Sequence, residues 1–145
     1  MPGYNPEFNN WLIQNGLTES FTTNAGDSFF TNMEKRFGVI KKADNYNVQS
    51  FYLDDIIEFK TLDERKVLYE WGRNSIWRTY DRISHHSTSN VYMKIWLRNG
   101  QTLIVQIFRA TNGNISRSSN DYINLINYAG LLSQIIYNCA NRPMY

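Results

Sequence analysis

Residues 91–98 constrain the chain more than any other stretch, because they alternate without exception. Val91, Met93, Ile95 and Leu97 fall on one side, and Tyr92, Lys94, Trp96 and Arg98 on the other. A period of two marks a strand with one buried face. Asn99-Gly100 follows, the strongest short hairpin signal, and Gln101 to Arg109 is the return strand. A two-residue loop would set Leu103, Val105 and Ile107 beside Tyr92, Lys94 and Trp96. A slip of one residue inverts a strand's faces, so the apolar pattern decides. Leu103, Val105 and Ile107 are expected beside Leu97, Ile95 and Met93, with a bulge or a longer loop making the adjustment.

Prolines occur only at positions 2, 6 and 143, so none breaks a strand or helix between 7 and 142. Asn5-Pro6-Glu7 starts a helix that carries Phe8, Trp11 and Leu12 and stops at Asn15-Gly16. A second short helix is expected from Asp27 or Ser28, carrying Phe29, Phe30 and Met33. Residues 1–36 therefore read as an N-terminal helical appendage, and 37–145 as the main domain. That domain opens with strands at Phe37–Lys41, Val48–Leu53 and Ile56–Lys60, and a hairpin through Leu62–Arg65 into Val67–Trp71. Gly72 to Asn90 reads as a long loop. Ser118-Ser-Asn-Asp121 resembles a capping box. Beyond it Tyr122, Ile126, Ala129, Leu132, Ile136 and Cys139 recur at helical spacing to about Asn141.

At 145 residues, 42% hydrophobic and 19% charged, the chain can bury a core without metals or disulfides and is not disordered. The single cysteine, Cys139, lies on the apolar stripe of the last helix and reads as a buried thiol. The N-terminus has no signal-peptide pattern, and no apolar run is long enough to span a bilayer; a cytoplasmic protein is expected. Eighteen Asn and fourteen Ile against five Ala match AT-rich coding, which points to a low-GC Gram-positive bacterium, its phages or its mobile elements.

Charge is unevenly spread. Residues 65–117 hold nine basic and two acidic side chains, a net of +7, while the rest of the chain nets −5. Within that segment Arg73, Trp77, Arg78, Tyr80 and Arg82 interleave cations with aromatics, and Tyr92, Lys94, Trp96 and Arg98 add a second row on the alternating strand. Arginine and aromatic side chains dominate interface energies, and they also stack on bases and grip phosphates. These nine residues are the candidate partner-binding set. Two readings stay open for the tryptophans: contact residues, or core, with Trp96 covered by Phe8, Trp11, Phe29 or Phe30. No catalytic residue, metal site or cofactor is expected. His85-His86 lacks further ligands, the carboxylates Asp54, Asp55 and Glu58 read as a solvated turn, and no phosphate loop or nucleophile elbow occurs.

Strands followed by one amphipathic C-terminal helix, with Phe51-Tyr-Leu-Asp-Asp-Ile-Ile-Glu-Phe59, the strand Met93–Leu97 and the strand Thr102–Phe108 in that order, resemble small bacterial pleckstrin-homology-like domains over about residues 37–141. Gly72-Arg-Asn-Ser-Ile-Trp-Arg78 stands where such domains often carry a glycine-rich run. The resemblance implies an α+β fold. Antiparallel strands, as a barrel or a two-sheet sandwich, would be closed by the long helix, with the short helical appendage in front. It also implies a binding module rather than an enzyme. The expected function is binding of a macromolecule, a host protein or nucleoprotein complex with an acidic or phosphate-bearing surface. For a small phage protein that means an inhibitor of a host defence complex, in the manner of an anti-CRISPR. The alternatives are nucleic-acid or nucleotide binding by the same residues, and phosphoinositide binding, which the fold resemblance alone brings in.

Overall fold

The computed structural model describes residues 6–43, 47–72, 75–79 by backbone alone, 87–110 and 113–141. The helix α1 (Pro6–Gln14) ends at Gly16, whose φ of +64° suits a residue without Cβ. Strands β1 (Thr18–Thr22), β2 (Ser28–Asn32), β3 (Phe37–Lys41) and β4 (Val48–Tyr52) then pair in chain order as an antiparallel sheet. A 3-10 turn at Leu53–Asp55 carries the chain into a second antiparallel sheet. Its strands are β5 (Ile56–Asp63), β6 (Lys66–Gly72), β7 (Ser75–Thr79), β9 (Asn90–Leu97) and β10 (Thr102–Arg109), side by side in the order β10-β9-β5-β6-β7. The short strands β8 (Ser87–Thr88) and β11 (Ile115–Ser116) pair with each other, and α2 (Asn120–Ala140) follows. The class is α+β, and the two sheets do not close into a barrel.

The core lies where the inner faces of both sheets meet α2. Phe29, Ile40 and Phe51 of the first sheet, Phe59, Met93, Ile95, Val105 and Ile107 of the second, and Ala129, Leu132 and Ile136 of the helix form one buried cluster. Trp71 belongs to it, stacked 5.9 Å from Phe59. The helix is seated by polar contacts as well: the Thr61 and Ser133 hydroxyls lie 2.6 Å apart, both buried. At the other end, Arg36 Nη2 donates to the Cys139 carbonyl at 2.7 Å and to Asp54 at 2.8 Å. A cation at a helix C-terminus satisfies an orphan carbonyl and favours the helix dipole.

The helix expected from Asp27 is instead the strand β2. Its spacing misled because both faces are covered, which removes the alternation that marks a half-buried strand. Phe29 faces the core, while Phe30 packs under α1 with Leu12, Leu17 and Val39. β2 pairs with β3 across the division expected at residue 36. The expected loop from Gly72 to Asn90 contains β7 and β8. The hairpin β9–β10 keeps its apolar face but by a different register. Leu103 pairs with Ile95 and Val105 with Met93 through a four-residue connection, and the bulge sits at Gln106/Phe108. The cap of α2 is Ser119, not Ser118: its Oγ accepts from the Tyr122 N–H at 3.2 Å.

Candidate functional site: the outer face of the five-stranded sheet

Because β9 alternates, burying Val91, Met93, Ile95 and Leu97 turns Tyr92, Lys94 and Trp96 outward, each half-buried. The neighbouring strands extend that face. Antiparallel pairing sets Ile104, Lys94, Lys60, Glu70 and Arg78 in one row across the sheet, and Thr102, Trp96 and Glu58 in the next. Like charges directly opposite one another are unfavourable in a sheet, yet Lys60 and Lys94 are register partners at its centre. Both lean on the same indole: Lys94 Nζ lies 5.2 Å and Lys60 Nζ 5.7 Å from the Trp96 ring centroid. Such cation–π contacts contribute about 0.5–1 kcal/mol each at exposed sites. Lys60 also approaches Glu58 at 3.7 Å. Among the described residues no carboxylate pairs with Lys94.

Trp96 is thus not covered by the N-terminal aromatics: Phe8, Trp11 and Phe30 cluster with Val39 on the outer side of the first sheet, and Phe29 is core. α2 lies on the opposite, inner side of the second sheet. Arg98 follows the strand, in the turn, and is held at the edge of the face by the Asp54 carbonyl at 3.3 Å and by Asp55 at 3.8 Å. Trp77 and Arg78 lie on β7, and the register sets Arg78 opposite Glu70; their side chains are not described. Arg73, Tyr80 and Arg82 lie outside the described residues, as does His85-His86. Lys60 was not singled out in the sequence. The signal was there, since Phe59 is apolar and its neighbours must point away from the core, but only the register shows that Lys60 meets Lys94.

The carboxylates Asp54, Asp55 and Glu58 do not assemble. Each has its own cation: Arg36, Arg98 and Lys60 respectively. Among the described residues no three His, Cys, Asp or Glu side chains group as a metal set. No helix there is long and apolar enough to cross a membrane. The Cys139 thiol is buried, and burial pushes its pKa up against the opposing charge of Arg36. It is therefore a poor nucleophile.

Two buried polar joints frame the face. At one end Asp63 is gripped by Arg117, Nε to Oδ2 at 2.9 Å and Nη2 to Oδ1 at 2.8 Å, and accepts from the Tyr122 hydroxyl at 2.5 Å. Burial alone would raise the Asp63 pKa; hydrogen bonds from Arg117, Thr88 and Tyr122, with the Arg117 charge, outweigh it and hold the carboxyl below its ordinary value. Burial and the Asp63 hydrogen bond push the Tyr122 pKa up. Beside this joint a cleft of about 670 Å³ is lined by Arg65, Lys66, Tyr92 and Arg117. The second joint ties the two sheets together. Asp27 accepts from the backbone N–H of Ala43 at 3.0 Å and of Gln106 at 2.8 Å, and pairs with Lys42. Lys42 donates in turn to the Ile104 carbonyl at 2.8 Å, and Thr23 to the Gln106 carbonyl at 2.5 Å. These side chains occupy the edge of β10 and keep it from pairing with another strand. Compared with the known protein families, with characterised proteins and with solved structures, the chain matches none.

Proposed function

We propose that the chain is a non-enzymatic, pleckstrin-homology-like binding module that takes an acidic macromolecular surface on the outer face of its five-stranded sheet. The observation that carries this reading is the Lys60–Lys94 pair. Two ammonium groups are held opposite each other beside Trp96, and among the described residues no carboxylate answers Lys94. Such an arrangement costs the free protein stability, and an acidic partner relieves it. Trp96 and Tyr92 supply the rigid aromatic area that anchors interfaces, and Arg98 extends the positive charge along the strand. The AT-rich composition supports a source in a phage or mobile element of a low-GC bacterium, with the module acting on a host complex. Nucleic acid is the second reading, favoured by Tyr92, Lys94 and Trp96 alternating along β9 with Arg98 in the turn beyond it, which offers stacking surfaces beside cations.

The test is capture from a low-GC bacterial lysate by the wild-type chain and by a Lys60→Glu/Lys94→Glu variant, with and without nuclease. A protein partner retained after nuclease and lost with the variant supports the first reading. Capture that vanishes on nuclease treatment and falls steeply with salt supports the second. Capture equal for both chains refutes both.

A further inference from the structure

Val48-Gln-Ser-Phe-Tyr52 forms β4, the outermost strand of the first sheet. At its two ends the Lys42 N–H donates to the Asn47 carbonyl at 2.8 Å, and the Leu53 N–H to the Arg36 carbonyl at 2.8 Å. Hydrogen-bonded pairs alternate along an antiparallel ladder, and the register between those two bonds is unbroken. Gln49 and Phe51 therefore direct their backbone groups at β3, while Val48, Ser50 and Tyr52 direct theirs away from it. Among the described residues no backbone group takes these up.

Unpaired strand edges invite pairing, and folds guard them with charges, bulges or covering side chains. β1, at the other side of the same sheet, carries Glu19 and a bulge between Glu19 and Phe21. The edge of β10 is filled by Asp27, Lys42 and Thr23. β4 has no charge, no proline and no bulge. Its exposed side chains are instead apolar at both ends, Val48 at 39% and Tyr52 at 60% exposure. They stand on the α1 side of the sheet, since Ser50 pairs with Val39 and the Tyr52 ring meets Phe37 edge-on.

We propose that β4 is a self-association edge, at which a second copy of this chain adds its own β4, antiparallel, about a two-fold axis at Ser50. That register places Ser50 against Ser50 of the second copy, and Val48 against its Tyr52. The outward backbone groups then meet one another and pair. The same operation sets a β-branched side chain against an aromatic one at each end, a favourable cross-strand pair. An uncharged strand gives a charged peptide nothing to read, whereas it is complementary to itself, the condition for a two-fold interface. The guards on β1 and β10 leave β4 to meet its own copy, and a two-fold pair uses up both edges, so association closes as a dimer. The contact uses none of the sheet-face residues and stands independently of the binding-module reading.

The experiment is analytical sedimentation of the full chain from micromolar to near-millimolar concentration. Wild type should pass reversibly from monomer to dimer, with no larger species. Ser50→Lys should raise the dissociation constant about ten-fold or more, since like charges then face each other across the axis. Its circular dichroism should match wild type, because the Ser50 side chain is exposed. Ser50→Cys should form a covalent dimer on mild oxidation, as hydrogen-bonded partners have Cα atoms about 5.5 Å apart, within disulfide reach. Val48→Cys should not, because it faces Tyr52 of the second copy. Cys139 is buried and does not compete. A chain that stays monomeric over the whole range overturns the proposal, even where β4 takes up a strand of another protein. A dimer that Ser50→Lys leaves unweakened also overturns it and puts the contact elsewhere. So does cross-linking at Val48 in place of Ser50, which refutes the axis.

Discussion

Lys94 stands directly opposite Lys60 in the β9–β5 ladder, and the Trp96 ring takes both ammonium groups at 5.2 and 5.7 Å. Replacing one of the two by an acid converts a repulsive cross-strand pair into an attractive one. Lys94→Glu should therefore leave the free protein as stable as wild type or more stable, by about 0.2–1 kcal/mol. The same change should abolish partner capture. A chain that loses stability together with capture would show that Lys94 serves the fold, and denaturant unfolding measures which occurs.

Removing Arg117 leaves the buried Asp63 carboxylate without its cation, held only by hydrogen bonds from Tyr122 and Thr88. Arg117→Met should cost about 3–5 kcal/mol, well above the effect of a surface change. Double replacement by apolar residues should recover much of the loss, as a double-mutant cycle by urea unfolding would show.

Stability should also fall in acid through the same group. The Asp63 pKa in the fold lies below its ordinary value of 3.8, so the unfolded chain binds the proton more tightly. The contribution of Asp63 is then fully present above pH 3.8 and is lost as the pH drops through the folded value. Asp63→Asn should flatten that acid limb of the unfolding profile.

Arg36 has a φ of +55° and still caps the last turn of α2 through the Cys139 carbonyl. Arg36→Ala should lose the cap and the Asp54 pair while keeping the backbone strain, at about 1–3 kcal/mol. Arg36→Gly should cost less than Arg36→Ala, because glycine accepts a positive φ freely. The order of the two melting temperatures checks this.

Gly38 lies in β3 where a Cβ would come within 2.9 Å of Leu53 and 3.0 Å of Phe51, both buried. Gly38→Ala should destabilise by overpacking, by about 1–3 kcal/mol. Cys139→Ser should cost about 1–3 kcal/mol by placing a hydroxyl in an apolar site and leave partner capture intact.

The sequence by itself determined the elements whose burial is one-sided. Residues 91–98 alternate because one face meets the core, and the stripe from Tyr122 to Cys139 repeats because one side of α2 does; both were legible as periods. It also determined that Lys94 and Trp96 share a face. The tertiary structure decided what periodicity cannot carry. β2 is covered on both sides, so Phe29 and Phe30 show no alternation and read as helical. The hairpin register was settled by a four-residue turn and by the bulge at Gln106/Phe108, near which Asp27 takes the Gln106 N–H, a contact between residues 79 apart in the chain. The meeting of Lys60 with Lys94, and of Asp63 with Arg117, likewise depends on which strands and loops become neighbours, and long-range pairing leaves no local mark in the sequence.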